Sequence, residues 1–290
     1  MKNAKLVGTI CIIITTLAYG LIPAVSFLAF DAGVSTETLL FDKFLYAAIL
    51  MWAYILIKKI DFKLSGKALK CMIIIMISYI GIATFLYFSY EYISGSLATI
   101  ISFTYPIMVV AIEMLRGAEK KSALKIIAVL VAMVGLCLIV WDPNMSLNIL
   151  GVIFALACAG AYCFYTITLS SDSLEGLHPL VTPAYVLGAS AIFNLGRCAI
   201  SGNPLFTTGW DQFGYMLFLA VICAFLAILC FCVGVRLIGP SNASIINMFE
   251  PACACFFCWW LIGDAITVNM VIGGLLIIGA VAVTTFAPKK

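Results

Sequence analysis

Ten apolar runs, each close to 20 residues long, dominate the chain. They cover roughly residues 6–30, 37–57, 70–92, 95–115, 122–141, 147–169, 178–197, 212–235, 240–262 and 265–287. A helix needs about 20 apolar residues to cross the hydrocarbon core of a bilayer. The runs lack the alternation of barrel strands, so they read as helices. Hydrophobic residues make up 64% of the chain and charged residues 10%, against roughly 25% charged in a soluble domain. Too little polar surface is left to coat a soluble globule, and the surplus apolar surface must face lipid. The expected fold class is therefore an all-α polytopic membrane protein of ten transmembrane helices. The breaks between runs, such as DAGVSTE, ISGS and LIGPS, are turn-rich and too short to hold a soluble domain.

Lys2 and Lys5 precede the first run as in a signal sequence, but no A-x-A-like cleavage site follows a short core, so that run is expected to span. Lys and Arg then set the orientation. With the amino terminus in the cytoplasm, fourteen of the sixteen fall in inner segments, Arg197 falls outside and Lys43 lies within a span. An even number of crossings puts both termini inside a plasma membrane. The net charge of +3 calls for no nucleic-acid partner.

Ser96 to Pro106 reads SLATIISFTYP, and Ser241 to Pro251 reads SNASIINMFEP. The two stretches lie 145 residues apart in a chain of 290 and share five of eleven positions. A repeat at half the chain length predicts two copies of one five-helix unit, residues 1–145 and 146–290. Five is odd, so the second copy must enter the membrane upside down. The loops agree. RGAEKKSALK after the fourth run is basic, whereas IGDAITVN after the ninth has no Lys or Arg. Opposite charge habits in equivalent loops mark an inverted repeat.

With FTYP at 103–106 followed by RGAEKKS, and MFEP at 248–251 followed by LIGDAIT, the chain resembles a ten-helix member of the drug/metabolite transporter superfamily. It is similar to the EamA kind, with two EamA repeats. The family pattern has a proline in each fourth helix, then a Gly-acid turn, then a Gly-rich last helix. Glu119 and Asp264 stand at the acid position; Gly135, Gly273, Gly274 and Gly279 supply the glycines. The resemblance implies this fold and transport as a class. Helix 2 of such proteins often carries an Arg; Lys43 stands there in this chain and lacks the bidentate grip of Arg on a carboxylate.

Glu250 lies ten residues into the ninth run, about 15 Å along the helix axis and so near the bilayer midplane. A bare carboxylate there costs at least ~2.5 kcal/mol. It must face a cavity, find a partner or hold a proton. Asn247 is one turn earlier on the same face. Ser102 and Tyr105 are the counterparts of Asn247 and Glu250 in the first copy. Tyr19 and Tyr162 stand at matched positions in the two halves, and Tyr79 lies deep in the third run. Lys43 has two readings: snorkelling to the outer surface, or holding a substrate carboxylate. The candidate substrate-binding set is Glu250, Asn247, Tyr105, Ser102, Tyr19, Tyr162, Tyr79 and Lys43. Glu113 has Arg116 one turn away, which explains it as a local ion pair.

No P-loop, HExxH, GxSxG or dinucleotide motif is present, and no enzyme, cofactor or metal is expected. Cys253, Cys255 and Cys258 could suggest a metal cluster, but residues 253 and 255 point to different helix faces and no His accompanies them, so they are expected as apolar helix residues. The expectation is a secondary transporter of a small metabolite, working by alternating access about a midplane site. Amino acids or related amines fit Glu250 among tyrosines; export of organic cations is the alternative. A lipid-handling protein or membrane enzyme is the rival class. The expected partners are the small-molecule metabolite and the lipid bilayer, with protons as coupling ion at Glu250. Ten helices can enclose a pathway in one chain, so a monomer or homodimer is expected.

Overall fold

The computed structural model describes residues 2–118, 122–141, 148–207 and 209–286. The expected boundary between the halves, at 145/146, lies outside the described residues, as do Glu119, Lys120, Lys121, Lys289 and Lys290.

Among the described residues the chain is helical and has no strand. The helices are α1 (Lys2–Asp31), α2 (Thr36–Ile57), α3 (Gly66–Tyr90), α4 (Gly95–Ser102), α5 (Tyr105–Leu115), α6 (Ala123–Ile139), α7 (Ile149–Thr168), α8 (Val181–Ser201), α9 (Trp210–Phe218), α10 (Ala227–Ile238), α11 (Pro240–Asn247), α12 (Glu250–Ile262) and α13 (Val268–Phe286). Eight continuous segments are long and apolar enough to cross a bilayer, and two shorter apolar helices, Ala123–Ile139 and Val268–Thr284, complete the set. These ten units match the ten apolar runs. Polar residues in the breaks start the helices: the side chains of Ser35, Ser65, Ser94, Ser122 and Asn148 each accept a hydrogen bond from an amide of the first turn. Large apolar side chains such as Leu115, Ile200 and Ile57 stay exposed, as a lipid-facing surface requires.

Three spans are not plain α-helices. The fourth is broken between α4 and α5, and the ninth between α11 and α12. Pro106 and Pro251 fall in the first turn after each break. Each lacks the amide that would bond the carbonyl four residues earlier, of Ser102 and of Asn247. The eighth span winds as a π-helix over Leu219–Leu226, between α9 and α10. That segment packs against α2.

The packing partners reveal the internal symmetry. Numbering the spans one to ten, the third packs on the sixth (α3 on α7) and the eighth on the first (α10 on α1). The broken fourth lies on the sixth (α4 and α5 on α7), and the broken ninth on the first (α11 and α12 on α1). The second pairs with the seventh (α2 on α8) and the fifth with the tenth (α6 on α13). Shifting every span by five maps this pattern onto itself. Two equivalent five-span units thus embrace each other, and the odd count inverts one relative to the other.

Close helix crossings rest on glycine. A Cβ on Gly135 of α6 would sit 2.6 Å from the Gly273 carbonyl oxygen of α13 and 2.9 Å from Ile277 Cγ1. A Cβ on Gly273 would run into the Gly135 carbonyl oxygen. Lipid supplies no hydrophobic drive between helices, so such backbone approach carries much of their association. Gly279 has no atom within 4 Å of its position for a Cβ. Gly135→Ala should therefore destabilise the protein by about 1–3 kcal/mol, read as a lowered melting temperature in detergent, while Gly279→Ala leaves it unchanged.

Candidate functional site

The two helix breaks meet in the middle of the bundle, where α5 contacts α11. Tyr105 opens α5 and Glu250 opens α12. The amino end of a helix carries partial positive charge, so the Glu250 carboxylate sits at the favourable end of its own helix. The proline kinks are what bring a helix end to this depth.

Asn247, the last residue of α11, is fully buried and ties the site together. Its Nδ2 donates to Glu250 Oε2 at 3.0 Å, to Tyr105 Oη at 3.2 Å and to Tyr162 Oη at 3.4 Å. Two amide hydrogens serve three acceptors, so the carboxylate at the shortest distance takes one and the phenols share the other. On the far side, Thr16 Oγ1 of α1 lies 3.4 Å from Asn247 Oδ1 and 2.8 Å from the Ile12 carbonyl oxygen. One residue thus links α1, α5, α7 and α12.

The phenols form a wall. Tyr105 and Tyr162 stack with centroids 4.0 Å apart and planes at 12°. Tyr162 meets Tyr165 and Phe231 edge-on, and Tyr165 stacks on Phe231 at 5.6 Å. Tyr79 leans on Tyr165 at 5.3 Å and receives Phe44 edge-on at 6.1 Å. Tyr19 of α1 is buried one helical turn from Thr16. Glu250, Tyr79 and Tyr162 are half-buried, not sealed.

Lys43 does not snorkel. Its side chain is buried, with Nζ 5.1 Å over the Phe44 ring. Asp42 turns the other way, and its Oδ2 accepts from the Thr207 amide at 3.2 Å. A step of about 100° between adjacent helix residues sends the two charges to different places. Lys43 and Glu250 form no ion pair with each other among the described residues.

Hydrogen bonds and ring contacts thus join five of the eight expected residues, Glu250, Asn247, Tyr105, Tyr162 and Tyr79, and Lys43 borders them through the Phe44 ring. Ser102 stands apart. Its hydroxyl is buried and has no hydrogen-bond partner among the described residues. Glu113 lies 3.9 Å from Arg116, as its spacing suggested. Thr16, Tyr165 and Phe231 were not anticipated. Thr16 is one helical turn from Tyr19, and Tyr165 is one turn from Tyr162, so a search along the helix face of the named tyrosines finds both.

The EamA-like transporter family model matches residues 6–141 and again residues 149–286. The chain belongs to the EamA-like transporter family. Relatives are distant. An uncharacterized transporter of Clostridium kluyveri is 23% identical over 245 residues, which is 81% of this chain and 78% of that protein. An uncharacterized inner membrane transporter of Salmonella typhimurium, YicL, is 24% identical over 200 residues, 68% of this chain and 66% of that one. One solved crystal structure superposes with a TM-score of 0.81 at 14% identity, covering 98% of this chain and 97% of the other. That likeness concerns the fold alone. The two matched segments agree with the two-unit packing of the EamA chain described above.

Asn247→Ala should destabilise this EamA protein by about 1–3 kcal/mol, because it strips a buried donor from Glu250 and two phenols at once. Thr16→Val should cost less, since Thr16 Oγ1 lies closer to the Ile12 carbonyl oxygen than to Asn247. Thermal melting in detergent checks both; equal effects would deny Asn247 its central place.

Proposed function

We propose that this EamA-family transporter carries small zwitterionic metabolites, amino acids and close relatives, through the space between Lys43 and Glu250. One observation supports this reading above the rest: a buried cation, Lys43, and a half-buried acid, Glu250, each border the interior tyrosine cluster and form no ion pair with each other. Paired with each other, they would be a structural bridge. Separated, they complement a molecule that bears a carboxylate and an ammonium. Lys43 takes the carboxylate, Glu250 takes the ammonium, and the faces of Tyr105 and Tyr162 add cation–π attraction. Organic cations fit less well, because Lys43 would repel a ligand with no negative group.

The two halves, 1–145 and 146–290, rock about this midplane site to open it to each side in turn. The kinks at Pro106 and Pro251 lie where such motion would bend the spans. Both termini lie in the cytoplasm of a cell whose inner membrane houses the protein, as the distribution of Lys and Arg supports. Glu250 has one amide donor, and its other oxygen has none among the described residues. An ammonium or a proton would neutralise it between substrates. Proton exchange for substrate follows from that competition, and one chain holds the whole pathway.

Proteoliposome uptake and thermal-shift screening with the twenty L-amino acids and their methyl esters test the reading. At least one amino acid should bind, and its ester should bind less well. Lys43→Gln and Glu250→Gln should each weaken binding roughly 10- to 100-fold, the worth of a charge-assisted hydrogen bond at ~1.5–3 kcal/mol. If both variants bind as the wild type does, the assigned site is wrong. A pH gradient should change the uptake rate; identical rates with and without it would remove the proton from the cycle.

A further inference from the structure

A second chamber opens where α2 begins and where α3 and α8 end. Its volume is about 520 Å³, within the ~300–1,000 Å³ common for small-molecule sites. Glu37, Glu91, Arg197, Tyr87, Tyr90 and Phe193 contribute to its walls. It therefore offers both signs of charge beside aromatic faces, as the midplane site does.

The charges are arranged unequally. Glu37 is fully engaged: Arg197 Nη2 lies 3.4 Å from its Oε1, and Asn203 Nδ2 donates to its Oε2 at 3.0 Å. Arg197 is not. That contact engages one nitrogen of a guanidinium with five N–H donors, and the group lies 5.3 Å over the Tyr87 ring. Glu91, just past the end of α3, is exposed and has no ion-pair partner among the described residues. Tyr87 and Tyr90 meet edge-on at 6.0 Å, so the spare acid has aromatic rings beside it.

The chamber also leads inward. A narrow hollow of about 20 Å³ shares Thr84, Phe193 and Arg197 with it and reaches Phe44 and Tyr79. Tyr79 belongs to the central phenol wall, and Phe44 carries Lys43 Nζ above its ring. Arg197 stands at the boundary between the vestibule and the path to the centre.

We propose that the vestibule is a second binding station for the same zwitterion, with Arg197 gripping its carboxylate and Glu91, Tyr87 and Tyr90 receiving its ammonium. Arg suits a planar carboxylate better than Lys, and an acid among aromatic rings suits an ammonium. The station loads or unloads substrate on that side of the membrane before the narrow hollow widens. The substrate class rests on the central-site reading given above; the vestibule itself rests on its own residues.

Equilibrium dialysis of the purified full-length protein in detergent decides the matter. The probe is the radiolabelled L-amino acid that most raises the melting temperature of the wild type. Two molecules should bind per chain. Arg197→Gln and Glu91→Gln should each abolish one site or weaken it at least tenfold, and Glu250→Gln should remove the other. Glu91→Gln touches no ion pair, so it reports on binding even if Arg197→Gln fails to fold. The charge-exchanged double variant Glu37→Arg with Arg197→Glu keeps an ion pair yet should not regain the second site. Regaining it would make Arg197 a mere brace and overturn the inference. One wild-type site that Glu250→Gln abolishes would overturn the vestibule and leave the central reading intact. One site that survives Glu250→Gln but not Arg197→Gln would do the reverse. No binding by any amino acid would overturn both.

Discussion

A carboxylate halfway through a membrane must be answered by the protein, because lipid offers it nothing. In this chain the answer is Asn247, whose amide holds Glu250 Oε2 at 3.0 Å and reaches Tyr105 and Tyr162 as well. Much of the interior depends on that one side chain. It joins the ninth span to the first, fourth and sixth, and it keeps the acid at the amino end of α12, where the helix dipole favours it. The kink ahead of Pro251 is the backbone counterpart of the same arrangement. Without the kink, no helix end would lie at this depth.

The packing symmetry explains why the site is central. Each half contributes one broken span, and the two breaks face each other across the axis relating the halves. The halves are not chemically equal there. The first presents Ser102 and Tyr105, and the second presents Asn247 and Glu250. An acid stands on one side and a phenol on the other, and Lys43 of the second span adds a buried cation to the interior. A symmetric scaffold thus holds chemically unequal residues at its centre.

Much of this was legible in the residues. Apolar runs near 20 residues can be little else than spans, and an odd repeat forces inversion. The 145-residue spacing of the two proline stretches pointed at the helices that break. Glu250 and Asn247 could be paired by their spacing of three. Other features could not be read. Whether Lys43 snorkels or turns inward depends on which face of α2 meets its neighbours, and periodicity is silent in a helix that is apolar all round. The π-helical turn at Leu219–Leu226 leaves no compositional trace. Ser102 was placed with Asn247 by repeat symmetry, and its hydroxyl is buried with no hydrogen-bond partner among the described residues. Glycine contacts such as Gly135 with Gly273 need both partners in view.

The most direct test of the account is an experimental structure of the protein with a transported amino acid bound. The account predicts ligand density between Lys43 and Glu250, with the ammonium at hydrogen-bond distance from the Glu250 carboxylate and the ring of Tyr105 or Tyr162 alongside. A ligand lodged elsewhere in the bundle, with Lys43 and Glu250 closed on each other as an ion pair, would contradict it.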